Sequence, residues 1–562
     1  MKQRRPEKTA LPEKPDARDS AARSFTLSGT ASAGIQDPWM NAKSHEERAH
    51  EFLRVAHLFQ LGHLSTERPH PATRELSEWA RHDLNRAIAT LKEVDLRALE
   101  ALERYAEGID ELSRAIRTTL DRGRRVFLCG CGATGRLSLG LEFLWRQTHG
   151  HGDRVVSFMA GGDVALVHSL EGFEDHPEYG ARHLLEMGFS DGDLMIGCTE
   201  GGETPYVIGA TEKAALVSSN PPYFLYCNED PALRRHIERF RRVYDNPAIR
   251  KLCLYVGSMA LAGSTRMQAS TVLQLAVGTA LLHSGERAGK LIAGYRERVD
   301  ETDFSFLSDF VERESDIYRA GDRVHYQVRD YAITVFTDTT ERAPTFSLVP
   351  FDRLTGPRGA DSLCWVSLTH ADRPEDAWFR LLDRAPRALN WPEVDRRTTA
   401  DYLHGFDFSS RALERRRRRV PDRAHHEFHV EGSPEGIALR LGDLARVVHA
   451  ADLPVLLRHL LLKQMLNIHS TLVMGRLGRY RNNLMTWVSP TNGKLVDRAT
   501  RYVGHLLAAS GLKDVGYETI VRRLFAEMDR LPPGESVVLA TFRALGGNGD
   551  SALRVHDDPD PR

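Results

Sequence analysis

Three loops of the chain carry the glycine, hydroxyl and charged residues from which anion-binding sites are built. Residues 130–135 read GCGATG and follow a short apolar run. Glycines there let backbone N–H groups approach an anion, and the start of a following helix adds partial positive charge. Residues 201–206 (GGETPY) and 263–267 (GSTRM) add hydroxyl groups and a guanidinium. Together the loops predict a phosphate site, and the hydroxyl of Thr134 favours a phosphomonoester.

The first of these loops also satisfies the dinucleotide-binding pattern GxGxxG. That pattern requires an acidic residue at the end of the next strand, about 20 residues after the glycines. Here the matching segment is AGGD at 160–163, in which the acid comes late and after two glycines. We therefore favour a phosphosugar over a dinucleotide, and a purely structural turn is the third interpretation.

Two further groups of residues raise the question of acid–base or metal chemistry. The carboxylates of EGFED at 171–175 are candidates for acid–base work, although an isolated acidic cluster is usually a solvated helix start. His425, Glu427 and His429 alternate along a possible strand. At the rise of a strand the two histidines lie about 13 Å apart, too far to share one ion. We predict no metal site and no cofactor.

The hydrophobic pattern indicates the elements that position these loops. Apolar residues recur at spacings of three and four between residues 49 and 120, which predicts amphipathic helices. From Arg125 onward, short apolar runs alternate with helical stretches, as in a parallel α/β sheet that binds ligands at the carboxyl ends of its strands. The predicted strands of this first sheet are residues 126–129, 155–159, 194–198, 223–227 and 252–256. A weaker second pattern predicts strands at 332–336, 346–349, 364–368 and 428–430.

Composition excludes several classes of partner. The chain has 562 residues, and its 76 basic and 77 acidic side chains leave a formal charge of −1. No general basic field exists to attract nucleic acid or a membrane surface, so any bound anion must be caught locally. The scattered cysteines form no CxxC pair, and no apolar stretch is long enough for a membrane span. We expect a cytoplasmic protein. The five arginines at 415–419 are interpreted either as a solvated helix face or as a docking patch for an acidic partner.

Taken in order, these segments resemble the family that contains N-acetylmuramic acid 6-phosphate etherase and glucokinase regulatory protein, which is built on the sugar isomerase (SIS) domain. The matching stretches are LSTERPHPAT at 64–73, GCGATGR at 130–136, AGGD and EGFED between 160 and 175, TPYV at 204–207, CNEDP at 227–231, GSTRM at 263–267, LNIHST at 466–471 and NNLMTWVSPTNGKL at 482–495. They cover most of the chain.

The spacing of the last segments decides which arrangement of the family the chain resembles. In the single-SIS etherase the GSTRM-like and NxKL segments form one continuous stretch, whereas here about two hundred residues separate Arg266 from Lys494. The resemblance thus implies an α/β fold with two tandem SIS domains, each a flavodoxin-like parallel-sheet α/β/α sandwich, with N-terminal helices and a helical C-terminal region. We expect a flexible tail at 1–44, a helical segment at 45–120, SIS domain 1 with the sugar-phosphate site at 121–300, SIS domain 2 as a degenerate scaffold at 301–453, and C-terminal helices at 454–550. Such an internal pseudo-dimer can act as a monomer with one sugar site.

The resemblance also implies roles for particular residues. The phosphate is held near the first loop, the sugar hydroxyls lie near the carboxylates, and a lysine enters from the far half of the chain. The implied phosphosugar-binding residues are Gly132, Ala133, Thr134, Glu171, Glu174, Gly201, Thr204, Ser264, Arg266 and Lys494. Ala133 and Gly201 depart from the family, in which Thr and Ser are usual at these positions.

The two branches of the family differ in the chemistry that they require. The etherase removes lactate from C3 of N-acetylmuramate 6-phosphate, so one carboxylate takes the C2 proton and another protonates the leaving oxygen. Glu174 matches the catalytic base, but Leu144 stands at the position of the acid. Glu142, two residues earlier, points about 200° around a helix from it. We therefore favour a non-catalytic regulator that binds a phosphosugar and controls a sugar kinase; the alternative is an etherase-like lyase that releases D-lactate.

Overall fold

The computed structural model describes residues 44–150, 152–355, 361–532 and 534–548. The tail predicted at 1–44 lies outside this range except for Ser44, which caps the first helix by accepting from the Glu47 amide, while the Glu47 side chain accepts from the Ser44 amide. The N-terminal helices are α1 (His45–Val55), α2 (Leu76–His82), α3 (Leu84–Glu103) and α4 (Ala106–Asp121). The apolar positions of the predicted pattern, including Leu84 and Leu99, form the buried face of α3.

The first sheet is parallel throughout and has the strand order β2-β1-β3-β4-β5. Its strands are β1 (Val126–Gly130), β2 (Val155–Met159), β3 (Leu194–Cys198), β4 (Tyr223–Tyr226) and β5 (Arg250–Cys253), which confirms all five strands predicted for it, β5 starting two residues early. The helices that follow are α5 (Ala133–His149), α6 (Pro177–Glu186), α7 (Pro205–Val217), α8 (Asp230–His236), α9 (Glu238–Asp245), α10 (Gln268–Leu282) and α11 (Ala288–Glu301). The strand order reverses at β1, which places the loop after β1 in the crevice where open α/β sheets bind ligands.

The second sheet combines parallel and antiparallel strands in the order β10-β9-β8-β6-β7. Its strands are β6 (Arg323–Val328), β7 (Cys364–Leu368), β8 (His425–Ser433), β9 (Gly436–Leu441) and β10 (Leu444–His449). Strands β7, β6 and β8 are parallel, and β8, β9 and β10 form an antiparallel meander. Two tandem α/β units are therefore present, the second with an antiparallel edge.

Two of the strands predicted for the second sheet are wrong. Residues 332–336 begin helix α13 (Ala332–Phe346), and residues 346–349 form no strand. The true first strand is β6, which alternates apolar residues with Arg323, His325 and Gln327. Its polar side chains are buried against partners, for example His325 against the Ser367 hydroxyl at 2.7 Å, so the strand lacks an apolar run. A short apolar run fits a buried helix as well as a strand, which explains the error at 332–336.

The remaining helices enclose the second sheet and join the two units. They are α12 (Leu307–Arg319), α14 (Pro374–Leu382), α15 (Ala400–Leu403), α16 (Ala412–Arg419), α17 (Val455–Arg476), α18 (Gly493–Ala509), α19 (Tyr517–Arg530) and α20 (Val537–Ala544). Helix α17 is buried along nearly its whole length and packs against α2, α10, α12 and α13. It is thus the central element of the core shared by both units.

The arginines at 415–419 are engaged within the chain. Arg416 is 1% exposed, and it reaches Asp361 at 2.7 Å beneath the ring of Trp365. The other four arginines also have carboxylate partners. Arg415, Arg417, Arg418 and Arg419 pair with Asp407, Glu427, Glu414 and Asp352, respectively. Neither a wholly solvated face nor an unpaired basic patch describes this helix. Of the helices in the described ranges, none has both the length and the apolar character needed to cross a membrane.

Candidate functional site

The loop after β1 is a compact turn at the N-terminus of α5. Gly132 is the N-cap residue, with φ 54° and ψ −123°, a conformation that favours glycine. The Thr134 hydroxyl donates to the Cys131 carbonyl at 2.8 Å and accepts from the Cys131 amide at 2.9 Å, which closes the turn. The first amides of a helix have no partner within it, so those of Gly132 and Ala133 are placed where an anion can be bound. The Thr134 amide donates to the Cys131 carbonyl at 3.1 Å and helps to close the turn.

Close packing explains the flanking glycines. A Cβ atom at Gly130 would lie 2.3 Å from the backbone of Thr134, and one at Gly135 would lie 2.6 Å from the Met159 side chain. A side chain at Gly130 would push the turn away from the end of β1, and one at Gly135 would push it away from β2. The glycine pattern is therefore required by the fold of the loop as well as by access of an anion.

Lys494 connects this edge of the first sheet with the C-terminal helices. Its ammonium group, in the first turn of α18, lies 2.9 Å from the carboxylate of Glu174 and 2.9 Å from that of Glu203. Burial lowers the pKa of Lys494, but Glu174 and Glu203 outweigh it and hold that pKa well above its usual value. The lysine is therefore a fixed positive charge at the mouth of the crevice.

Further buried ion pairs fix the position of that lysine. Glu67, from the segment LSTERP, accepts from Arg498 at 2.6 and 3.0 Å and from Arg501 at 3.0 Å. Burial opposes ionisation of Glu67, but the arginines lower its pKa strongly. Glu203 also binds Arg239, and Lys494 and Arg239 together lower the pKa of Glu203 to about 2 against the effect of burial. These pairs tie α18 to the first α/β unit.

The loop after β3 is held in place by hydroxyl and amide contacts. Thr204 is the N-cap of α7, and its hydroxyl lies 3.0 Å from that of Thr199. The Asn228 side chain donates to the Gly201 carbonyl at 3.0 Å and to the Thr66 hydroxyl at 2.9 Å. The predicted residues Gly201 and Thr204 thus lie in one rigid cluster with the segment at 64–73.

The two predicted residues of the GSTRM segment differ in their surroundings. The Ser264 hydroxyl is buried and has no hydrogen-bond partner among the described residues. The Arg266 guanidinium is directed at the second unit, where it donates to Asp338 at 2.9 Å, Thr471 at 2.7 Å and Ser470 at 3.2 Å. Arg266 therefore joins the two units beneath the crevice, and its bonding capacity is largely taken up there.

Two carboxyl groups in the crevice are in environments that disfavour charge. Burial and the neighbouring Glu174 raise the pKa of Glu171 to about 7. Burial, with a contribution from Glu341 on α13, raises the pKa of Glu200 to about 8. Glu341 itself is paired with the buried Arg136. The crevice thus contains carboxyl groups that are protonated near neutral pH beside others that are ionised by their partners.

Sequence reasoning missed several residues of this site, above all Glu200 and Glu203. Both lie in the loop TEGGET after β3, at the edge of the sheet where ligands bind. The presence of two glutamates in a loop at this edge was the sequence signal that could have identified them. Glu67 and Asn228 lie within segments that carry the family resemblance, but nothing in their spacing indicates their partners.

The two α5 residues considered for acid catalysis are both buried. Leu144 is 1% exposed within the apolar core. Glu142 accepts from the Ser157 amide at 3.2 Å and from Arg384 at 3.0 Å, on the opposite side of the helix. Across the described residues, no group of three or more His, Cys, Asp and Glu side chains is arranged to hold a metal ion.

Comparison with known proteins identifies relatives of the chain. The family described as "Glucokinase regulatory protein N-terminal SIS domain" matches residues 108–215. N-acetylmuramic acid 6-phosphate etherase of Rippkaea orientalis is 34% identical over 224 residues, which cover 39% of this chain and 67% of that protein. N-acetylmuramic acid 6-phosphate etherase 2 of Vibrio cholerae is 30% identical over 232 residues, covering 41% of this chain and 70% of that protein. Among solved structures, tagatose-6-phosphate ketose/aldose isomerase from Escherichia coli matches with a TM-score of 0.38 at 11% identity, covering 70% of this chain and 94% of that chain.

Proposed function

The chain belongs to the SIS-domain family that contains N-acetylmuramic acid 6-phosphate etherase and glucokinase regulatory protein, and we propose that it is an etherase-like lyase acting on a phosphosugar in the crevice between its two α/β units. Membership makes it a sugar-phosphate SIS protein. The curated relatives described above are etherases. The names of these relatives favour the lyase, whereas the sequence pattern favours the non-catalytic regulator.

The contact between Glu174 and Lys494 carries the proposal. A carboxylate at the edge of the sheet where ligands bind is suited to remove a proton from carbon, and Lys494 holds that of Glu174 in position. In the proposed reaction Glu174 takes the C2 proton of the open-chain sugar, where the neighbouring aldehyde makes the proton acidic. The electron pair forms a C2=C3 double bond as the C3–oxygen bond to the lactyl group breaks.

The remaining residues of the site supply binding. We assign the phosphate to the amides of Gly132 and Ala133 at the start of α5, in the turn that Thr134 closes, and the sugar hydroxyls to Glu171 and Ser264. The unpartnered Ser264 hydroxyl supports this assignment, because a buried polar group without a partner costs free energy that a ligand can recover. Gly201 and Thr204 shape the opposite wall.

A second candidate, a non-catalytic sugar-phosphate regulator, rests on Leu144. An apolar residue at the position of the family's acid removes one of the two carboxylates that the elimination needs, and the regulator branch also joins two SIS units in one chain. In this case sugar binding would stabilise one arrangement of the two units, and a partner such as a sugar kinase would respond to it.

Lactate release from N-acetylmuramic acid 6-phosphate separates the two candidates. We expect turnover by the wild type, loss of at least about 100-fold in Glu174→Gln, and little change in Glu178→Gln, an exposed glutamate four residues along. Binding of the substrate, detected as a thermal shift, without lactate release would favour the regulator. A thermal shift with fructose 6-phosphate but not with N-acetylmuramic acid 6-phosphate would argue for it more strongly. No shift with any phosphosugar would refute both candidates.

A further inference from the structure

We propose that Glu200 is the proton donor of this site and takes over the role that Leu144 leaves vacant. The inference rests on the proposed lyase function and assigns its missing acid. Glu200 follows β3 directly, and β3 is paired with β1, so its loop and the phosphate-binding loop meet at the same edge of the sheet. The proposed acid, Glu200, therefore lies after β3, whereas the family resemblance places the acid on α5 at Leu144.

The burial of Glu200 is the first observation behind this assignment. The residue is 8% exposed, and its Oε1 atom has no hydrogen-bond partner in the described part of the chain. Carboxyl groups that serve the fold are satisfied, as Glu142 and Glu67 are in this molecule. A buried and unsatisfied carboxyl oxygen at a ligand-binding edge is available to a ligand.

The charges around Glu200 are the second observation. The ionisable groups close enough to influence it, or to be influenced by it, lie in the first α/β unit and on helices α13, α17 and α18: Cys131, Glu174, Cys198, Cys227, Glu341, Lys463 and Lys494. One of these neighbours is Glu174, the proposed base, and another is Lys494, which lies 2.9 Å from Glu174. Burial among them raises the pKa of Glu200 to about 8, so the group carries a proton at neutral pH. Glu174, in contrast, is paired with an ammonium group.

The assignment completes the proton balance of the reaction. Glu174 takes the C2 proton, the C2=C3 bond forms, and the C3–oxygen bond breaks while its oxygen takes the proton of Glu200, so lactate leaves with a free hydroxyl. Water then adds to C3 and gives a proton to the Glu200 carboxylate, and Glu174 returns its proton to C2. The two carboxyl groups finish in their starting states, and the net change is hydrolysis of the ether.

The assignment predicts two separable half-reactions. Exchange of the C2 hydrogen with solvent deuterium needs only the base, whereas lactate release needs both groups. With N-acetylmuramic acid 6-phosphate in D2O, we expect Glu200→Gln to retain C2 exchange, followed by NMR, and to lower lactate release about 100- to 10,000-fold. Glu174→Gln should lose both. We also expect kcat/KM of the wild type to fall above about pH 8, in step with the pKa of Glu200, and the residual activity of Glu200→Gln to lack this alkaline limb.

The possible failures are distinguishable. An inactive wild type that also shows no C2 exchange refutes the proposed function. An active wild type whose Glu200→Gln variant releases lactate at the normal rate refutes the assignment of Glu200 alone. Loss of the alkaline limb in Glu171→Gln and not in Glu200→Gln would give the donor role to Glu171 and overturn the proposal. Glu200→Gln that loses C2 exchange and lactate release together would point to a structural role and would overturn it as well.

Discussion

Lys494 donates a hydrogen bond of 2.9 Å to Glu174 across 320 positions of the chain. The same ammonium group lies 2.9 Å from Glu203, which follows β3. One cation therefore holds two carboxylates that come from different loops of the first sheet. The C-terminal helices contribute to the candidate site, because α18 carries Lys494. The ion pair between Glu67 and Arg498 fixes the position of α18.

Removal of the Lys494 charge should destabilise the protein and the site together. Lys494→Met removes the ammonium group from the largely buried Glu174 and leaves Glu203 with Arg239 alone, and breaking such a pair typically costs about 3 kcal/mol or more. We expect the free energy of unfolding in urea to fall by about this amount and phosphosugar binding to weaken. Lys290→Met, at an exposed helical position, is the matched control and should change stability by less than about 0.5 kcal/mol. Equal effects in the two variants would contradict the bridging role of Lys494.

The backbone conformation of Gly132 offers a test of the phosphate loop that involves no loss of a side chain. A Cβ atom there meets nothing within 4 Å, so Gly132→Ala strains only the backbone at φ 54°, at a cost of about 1–3 kcal/mol. Because the strain is relieved by moving the amides of the turn, sugar-phosphate affinity measured by calorimetry should fall. Gly140→Ala lies inside α5 with its nearest contact at 3.8 Å and should be neutral or stabilising. Unchanged affinity in Gly132→Ala would remove the loop from the binding site.

The raised pKa of Glu200 has a consequence for stability. Its carboxyl titrates near 8 in the folded chain and near 4.5 when exposed, so between these values the folded state holds more protons than the unfolded state. Stability therefore falls as pH rises from about 4.5 to about 8. Glu200→Gln removes this penalty and should stabilise the protein at pH 9 by on the order of 5 kcal/mol, with little effect at pH 4. Chemical denaturation at the two pH values measures the difference. A variant that is less stable at pH 9 than the wild type would contradict the buried, uncharged state of Glu200.

Arg384 links the second unit to the first. It contacts Glu142 at 3.0 Å and Asp163 at 2.5 Å and is 5% exposed. Arg384→Met should lower the free energy of unfolding by about 3 kcal/mol, because Asp163 stays buried without its guanidinium while Glu142 keeps only Arg387. The control Arg373→Met removes an exposed pair with Asp376 and should cost less than about 1 kcal/mol. Similar midpoints of unfolding for both variants would show that the interface does not depend on Arg384.

The amino-acid sequence determined the first sheet and the loops at its edge. Strands β1 to β4 are short and mostly apolar runs, and these signals are local, so 126–129 and 194–198 could be predicted without knowledge of their neighbours. Strand β5 begins with Arg250 and Lys251, and the apolar run after them placed its predicted start two residues late. The same local pattern made Thr134 a candidate for the phosphate loop, whereas Glu174 became a candidate base only through the family resemblance. The local pattern failed at β6, where polar residues such as His325 find partners only when another strand is paired beside them.

The tertiary structure alone decided what the site residues do. The sequence shows that Arg266 is a cation and Glu200 a carboxylate. It does not show that Arg266 binds Asp338, or that Glu200 is buried with one oxygen that has no hydrogen-bond partner in the described part of the chain. Charge state and hydrogen bonding depend on burial and on groups that are hundreds of positions away, as Lys494 is from Glu174. These quantities arise only when the two α/β units close on each other, because desolvation and Coulomb interaction act through space and not along the chain.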